Sequence, residues 1–556
     1  KSGFLGLNKS GKSQLKTTAT QVSSELNAAN DVVLMAGNDL GVRASTVDAG
    51  NDVELRAGLL ESTGDINLLS ANNKAYSMSE RYRKKTGLSA SGGMVSVSST
   101  KKAGQAAQSS TSVGSQVIAE GDASLQAERD INIVGSGVSA GGNLLLDAGR
   151  DVQIVAADNE NATSTWQRER RTGVAVSSDR NGVTAFAGND TKIDKRWDTQ
   201  STAAASLLEA GENLDIKAGR DIQQSGSDLA AGHDINLIAE RHIILGAVSE
   251  QRRQQQEKAH QRTGLTVSIN HNFGSTLDAI KGAGRGDNAL SQVSGVLKAS
   301  DSITQFVAGP TTTEHLGTTQ QQTTTVEDTQ SYRESTLSAG RDINLFAGQD
   351  VEARGTRVHS QRDINIAGQN VTLGVARGYY AQNAEHTLSQ SGINGSSTAN
   401  SARVGIGSSH SKQTETGRQD MSLPAQLQAG RDVNLKAAQD LTLIGTQVQA
   451  QRDIQLSAGQ DLRIHAAQND SSYATRRKSG GGEVGLAVGG QNLLSVYASA
   501  DAGKGKLDRE SAQQQEAYLY AGNHLNFSSG RDTKIAGAQL EGEKVTGRVG
   551  RDLLVV

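Results

Sequence analysis

Gly6-Leu7-Asn8-Lys9-Ser10-Gly11-Lys12-Ser13 spells a phosphate-cradling loop letter for letter. Such a loop holds a nucleotide only when a buried strand precedes it and a helix N-terminus follows. Five residues precede Gly6, and Gln14-Leu15-Lys16-Thr17-Thr18-Ala19-Thr20 is a poor helix former, so nucleotide binding is not expected. Arg285-Gly286-Asp287 is an integrin-type tripeptide, cheap to reach by chance in a chain this rich in Gly and charge. The 10 histidines are scattered without metal-ligand spacing, and there is no Cys to assist them. No Gly-x-Ser-x-Gly elbow and no Gly-Gly-x-Gly-x-Asp calcium repeat appears. Trp166 and Trp197 share one segment, too little aromatic surface for the sugar groove of a polysaccharide lyase or hydrolase. No catalytic, cofactor or metal residue is assigned, and an enzyme is not expected.

The elements that would have to position any chemistry are repetitive. Gly340-Arg341-Asp342-Ile343-Asn344-Leu345 recurs as Gly149-Arg150-Asp151-Val152, Gly219-Arg220-Asp221-Ile222, Gly430-Arg431-Asp432-Val433 and Gly530-Arg531-Asp532. The Asp positions alternate in short and long steps: 342, 350, 363, then 432, 440, 453, 461. Copies of one type lie about 21 residues apart, a period that marks a stacked solenoid. Apolar residues alternate after each Asp, as a strand with one buried face requires. Two short strands and two corners fit, with room for a third strand. The expected fold is all-β: a right-handed parallel β-helix whose core receives Ile131, Val152, Ile222, Ile235, Ile343, Ile364, Val433 and Ile454. Stacking would place Asp342 beside Asp363 and Asp432 beside Asp453; the Arg before each Asp is expected to relieve the repulsion.

Composition agrees with a long hydrogen-bond ladder. Only 2 of 556 residues are Pro, which would interrupt it, while 63 are Gly. Aromatics are 3% and the net charge is −3, too balanced for a general nucleic-acid binder. The absence of Cys suits an exported chain, and no apolar run approaches the length of a membrane helix. Both ends look cut, as in a fragment of a larger protein.

The whole of 1–556 reads as one continuous β-helix with coil blocks near 28–70, 120–157, 206–247, 336–376, 425–467 and 518–556. Inserts rich in Ser, Thr, Gln and Gly separate the blocks. Several inserts place a basic cluster before a Gly and then alternate small or apolar residues. The clusters are Arg81/Arg83/Lys84/Lys85, Arg168/Arg170/Arg171, Arg252/Arg253/Arg262 and Arg476/Arg477/Lys478. Arg403-Val404-Gly405-Ile406-Gly407 is a weaker copy. Hairpins projecting from the solenoid, or strands lying along it, are expected, with Leu290, Val293 and Leu297 spaced for a short covering helix. If the inserts share one face, the basic clusters would contact an anionic cell surface; the alternative is solvated charge, with Glu80 and Glu169 neutralising them.

The Ala-Gly-Arg-Asp-Ile-Asn-Leu phrase, with basic and Gly-rich inserts at a super-period near 90 residues, resembles filamentous haemagglutinin repeats. More narrowly, it resembles the second haemagglutinin-repeat region of exoproteins exported by two-partner systems, including contact-dependent growth inhibition filaments. The resemblance covers nearly the whole chain. It implies a secreted surface filament with an outer-membrane secretion partner and no cofactor. It also implies contact with a bacterial or host cell surface, outer membrane or lipopolysaccharide, in the service of toxin delivery. An adhesin stalk binding host cells or glycans is the alternative.

Overall fold

The computed structural model describes residues 8–59, 63–91, 93–179, 182–270, 311–398, 400–489 and 492–556. Arg285-Gly286-Asp287 and the segment carrying Leu290, Val293 and Leu297 lie outside them, as do Gly6 and Leu7. The chain winds as a parallel β-helix of three sheets. One coil runs through Gln116–Ala119, Ala123–Ala127 and Ile131–Val134, and the next through Gly137–Ala140, Leu144–Ala148 and Val152–Val155. In-register parallel pairing joins Val117 to Val138, Leu125 to Leu146 and Ile131 to Val152. Two of the sheets have 12 strands each. The third merges with a sheet built from the inserts.

Asp marks two of the three corners. Asp342 precedes the second-sheet strand Ile343–Ala347, whereas Asp350 opens the third-sheet strand Asp350–Arg354. The short step between aspartates is therefore the turn from second to third sheet, and the long step hides the first-sheet strand. One phrase serves both corners: Gly149-Arg150-Asp151 leads into the third sheet and Gly340-Arg341-Asp342 into the second. Alternation buries one side chain in two. Ile131, Val152, Ile222, Ile235, Ile343, Ile364, Val433 and Ile454 are all fully buried. Burying each such side chain contributes about 1.5–3 kcal/mol.

Asp342 and Asp363 do stack, but not as bare charges. The Asp363 N–H donates to the Asp342 carboxylate at 3.1 Å, and Arg362 lies 3.5 Å from it. Where Gln439 and Gln460 replace the corner Arg, Arg463 bridges Asp440 at 3.0 Å and Asp461 at 2.7 Å.

The joints from third to first sheet come in two kinds, which alternate along the molecule. At Ala44, Gly135, Gly226, Gly355, Gly445 and Gly537 the chain turns through a left-handed residue, with φ between 45° and 61°. At the others a long antiparallel strand pair leaves the coil and returns. These pairs are Ala71–Ser91 with Met94–Val113, Ala157–Asp179 with Gly182–Ala204, Val248–Asn270 with Thr311–Arg333, Asn370–Thr398 with Ser401–Pro424, and Ala467–Gly489 with Asn492–Gln515. A buried Ser closes the root of the first three. Ser115 Oγ donates to the Leu69 carbonyl at 2.8 Å, Ser206 Oγ to Val155 at 2.7 Å and Ser335 Oγ to Gly246 at 2.7 Å.

Candidate functional site

The inserts do not stand alone. Each strand pair hydrogen-bonds to the next: Met94–Val113 pairs with Ala157–Asp179, Gly182–Ala204 with Val248–Asn270, Thr311–Arg333 with Asn370–Thr398, and Ser401–Pro424 with Ala467–Gly489. The strand Asn8–Ala19 adds to one side against Ala71–Ser91. The phosphate-loop letters Asn8 to Ser13 thus sit inside an antiparallel strand, without the helix that phosphate binding needs. The result is one broad antiparallel sheet rooted along the β-helix, with two faces and a distal margin.

Glycines cross this sheet in line. Gly173, Gly188, Gly264, Gly317, Gly392 and Gly407 are successive cross-strand partners. A Cβ on Gly264 would strike the Ala187 carbonyl, and one on Gly317 the Ser391 carbonyl. Gly173 and Gly264, which follow the basic clusters ending at Arg171 and Arg262, therefore mark close approach of neighbouring backbones, whereas Gly87 has open space beside it.

Distal to that line one face is apolar. Val95, Val174, Ala187, Leu265, Leu316, Ile393, Ile406, Val484 and Ala498 form an unbroken cross-strand row. Its seven large members are between 42% and 69% exposed. The next row adds Val176, Val267, Val404, Leu486 and Val496, broken by Glu314. A continuous exposed apolar surface of this extent marks an interaction site. The sequence signal was the alternation after each cluster; what no local pattern showed was that the alternations align.

The opposite face is polar at the same height. Asp190 accepts from His260 Nε2 at 2.9 Å and faces Arg262 at 3.5 Å, while Arg262 lies 5.3 Å from the Phe186 ring. Burial raises the Asp190 carboxyl, but the His260 hydrogen bond and the charges of His260, Arg262 and Lys192 outweigh it and hold the group below the usual carboxylate range. Farther along, His315 Nδ1 lies 2.7 Å from Asn394 Oδ1, and Asn394 donates to Glu483 at 2.9 Å. The Tyr497 hydroxyl donates to Glu483, lowering that carboxyl and pushing its own titration up. Most of these polar atoms are paired within the face, while His315 Nε2 and Arg262 Nε are buried without a hydrogen-bond partner. Among the described residues no group of three His, Cys, Asp or Glu could hold a metal ion.

Strand alternation divides the basic clusters. Lys84, Arg168, Arg170, Arg253, Arg476 and Lys478 lie on the apolar face, rootward of its band. Arg81, Arg83, Lys85, Arg171, Arg252, Arg262 and Arg477 lie on the other. Arg171 pairs with Glu169 at 2.6 Å and Arg252 with Asp198 at 3.0 Å. Among the described residues, Arg81, Arg83, Lys84, Lys85, Arg168, Arg170, Arg476, Arg477 and Lys478 make no ion pair. Among the described residues no helix is long and apolar enough to cross a membrane.

A family model described as hemagglutinin repeat matches residues 5–107, 95–192, 186–313, 316–423 and 404–556. The chain is similar to the deoxyribonuclease CdiA of Dickeya dadantii (strain 3937), 26% identical over an alignment of 430 residues that covers 66% of this chain and 12% of that protein. It is similar to the tRNA nuclease CdiA of Escherichia coli (strain NC101), 25% identical over 363 residues, 64% of this chain and 9% of that one. With the deoxyribonuclease CdiA of Yersinia pseudotuberculosis serotype O:3 (strain YPIII) it shares 24% identity over 407 residues, 72% of this chain and 30% of the other. The chain thus spans about a tenth of the first two relatives. No solved structure matches it.

Proposed function

This chain belongs to the hemagglutinin-repeat family, and from that premise we propose that it is a repeat segment of a two-partner-secreted bacterial surface filament of the contact-dependent growth inhibition class. In this reading the segment is exported across the outer membrane with the help of a secretion partner. It engages the outer membrane of a target cell and helps deliver a toxin carried elsewhere in the full-length protein. The relatives' nuclease names describe whole proteins of which this segment matches a small part, so the segment itself is taken as a non-catalytic delivery and contact surface.

The observation that carries the reading is the banded face of the insert sheet. Its distal row from Val95 to Ala498 is apolar and exposed, and Arg168 lies six residues rootward of Val174 on the same face. At about 3.4 Å per residue the charge sits roughly 20 Å from the apolar row. An apolar margin with cations set back from it fits an anionic lipid surface, acyl chains meeting the margin and headgroups meeting the cations. The Lys/Arg contribution weakens as salt rises, whereas the apolar one does not.

The test is flotation of the full chain with vesicles containing lipopolysaccharide and anionic phospholipid. Replacing Leu265, Leu316 and Ile393 with Ser is expected to abolish binding while leaving the β-helix intact by circular dichroism. Replacing Arg168, Arg170, Arg476 and Lys478 with Gln is expected to weaken binding and flatten its salt dependence. Unchanged flotation of the Ser variant would overturn the reading.

A further inference from the structure

Rootward of the apolar band, the same face carries a compact arrangement of aromatic rings and unpaired cations across three adjacent strand pairings. Trp166 stands opposite Gly104, and an added Cβ on Gly104 would come 2.5 Å from Trp166 Nε1 and 2.8 Å from Cε2. The indole therefore leans over the glycine instead of standing up from the sheet, and it remains half-exposed. Gly104 permits this posture; any larger residue would lift the ring. Trp197 sits on the next strand, opposite Ser164 and one same-face step from Trp166, and is 36% exposed.

Cations border the rings. Arg168 and Lys102 are direct cross-strand partners, one same-face step distal to Trp166 and Gly104. Lys102 Nζ lies 5.7 Å from the Tyr82 ring centroid. Among the described residues neither Lys102 nor Arg168 has a carboxylate partner, although both are exposed. Lys195, opposite Trp166, is held by Glu257 at 3.2 Å and lies 5.9 Å from the Trp197 ring, so it shapes the site more than it supplies free charge. Glu80 stands opposite Gly104 and makes no ion pair among the described residues.

We propose that this patch binds a phosphorylated saccharide: a sugar ring stacks on the half-exposed indole of Trp166, its phosphate meets Arg168 and Lys102, and Glu80 accepts from its hydroxyls. The chemistry of each part requires that ligand class. A flat indole face recognises the C–H face of a pyranose, two neighbouring unpaired cations recognise a phosphomonoester more strongly than a neutral sugar, and a free carboxylate recognises hydroxyl donors. A neutral glycan would leave the cations without partners, and a bare phospholipid would leave the indole face unused. The proposal rests on the cell-surface reading above and names the ligand that surface would present between lipid and solvent.

Trp166 and Trp197 are the only tryptophans of the chain, so fluorescence excited selectively at tryptophan, beyond the absorption of the 9 tyrosines, reports on this patch alone. The full chain is titrated with phosphorylated inner-core oligosaccharide freed of its lipid, with the same oligosaccharide after phosphatase treatment, and with phosphatidylglycerol vesicles lacking sugar. A saturable fluorescence change is expected with the first. The second should bind at least about tenfold more weakly, and the change should weaken about as much in the Lys102→Gln/Arg168→Gln double variant, which keeps both indoles. A fluorescence change of equal size and midpoint with sugar-free vesicles would assign the cations to lipid and overturn the saccharide site. No change with phosphorylated oligosaccharide, or equal midpoints for the double variant and the parent, would also overturn it. Vesicle flotation through the apolar band is measured beside it, so loss of the saccharide site and loss of the membrane reading are separately visible.

Discussion

Arg150 reaches back one coil to grip Asp130, its Nε 2.7 Å from Oδ1, while the backbone N–H of Asp151 donates to the same oxygen at 3.2 Å. The pattern repeats from Arg220 to Asp151, Arg241 to Asp221, Arg431 to Asp363 and Arg452 to Asp432. Each aspartate therefore accepts from the coil that follows it. At these five corners the repulsion of stacked like charges is offset, because the next coil brings both a cation and an amide to each carboxylate.

This ladder sets the response to acid. The Arg150 hydrogen bond holds the Asp130 carboxyl below its ordinary 3.8 against the opposing effect of burial, and Asp221, with Arg241, shifts the same way. A carboxyl with a depressed folded-state pKa lends stability that is complete above its unfolded value and lost as pH falls through the folded one. Thermal midpoints should stay level from neutrality to about pH 4.5 and drop below about pH 4, near the ordinary Asp value. A midpoint that declines well above pH 5, or not at all by pH 2, would show that the ladder does not govern acid stability.

Ile343 is fully buried and pairs with Ile235 in one neighbouring coil and Ile364 in the other. Ile343→Ala should cost about 2–5 kcal/mol. Ile343→Asp should open these coils while leaving distant ones closed, because repeat stability is a sum over neighbours. Limited proteolysis read by mass spectrometry should place new cuts near 235, 343 and 364; cuts spread evenly along the chain would contradict the local picture.

Ser206 is fully buried and spans the root of the second strand pair. Ser206→Ala removes the donor to the Val155 carbonyl and the acceptor of the Ser136 N–H, at about 1–3 kcal/mol for a buried group left unpaired. Hydrogen exchange should rise at residues 157 and 204, where the pair leaves and rejoins the coil. Equal protection in parent and variant would leave Ser206 as mere filler.

Ala44 occupies a left-handed turn with φ of 45°, where the other five joints of its kind have Gly. Ala44→Gly should stabilise by about 1 kcal/mol, since a Cβ in that conformation costs roughly 1–2 kcal/mol. The reverse change at Gly226, with φ of 59°, should destabilise more, because its Cβ would also meet Val248. Paired denaturant melts of the two variants give the sign of each effect directly.

The solenoid was legible because its information is local. Gly-Arg-Asp followed by alternating apolar residues names a corner and a strand within six positions, and pairing such as Ile131 with Val152 follows from equal spacing. The first-sheet strand was hidden because its corner uses Gly or Ala with Ser or Thr in place of Asp, as at Gly226-Ser227. The insert sheet was half legible. The alternation of Leu265 and Val267 announced a strand, but pairing Leu265 with Ala187 and Leu316 on either side is non-local and leaves no mark in either segment. For the same reason the split of Arg168 from Arg171 between faces needed only strand parity, whereas the joining of Arg168 to Lys102 needed the fold.

The alternation of plain and strand-bearing joints carries a consequence for how such a molecule can change length. Two coils lengthen the β-helix by two strand spacings of about 4.8 Å, and the one excursion they carry widens the insert sheet by two strands at the same spacing. The two lattices are commensurate only in that ratio. An excursion at every joint would crowd twice as many strands into the same rise, and one at every third would leave strands too far apart to bond. Growth or loss by single coils would therefore put the two sheets out of step. A duplication that takes two coils together with their excursion, such as 116–204, extends both without a seam.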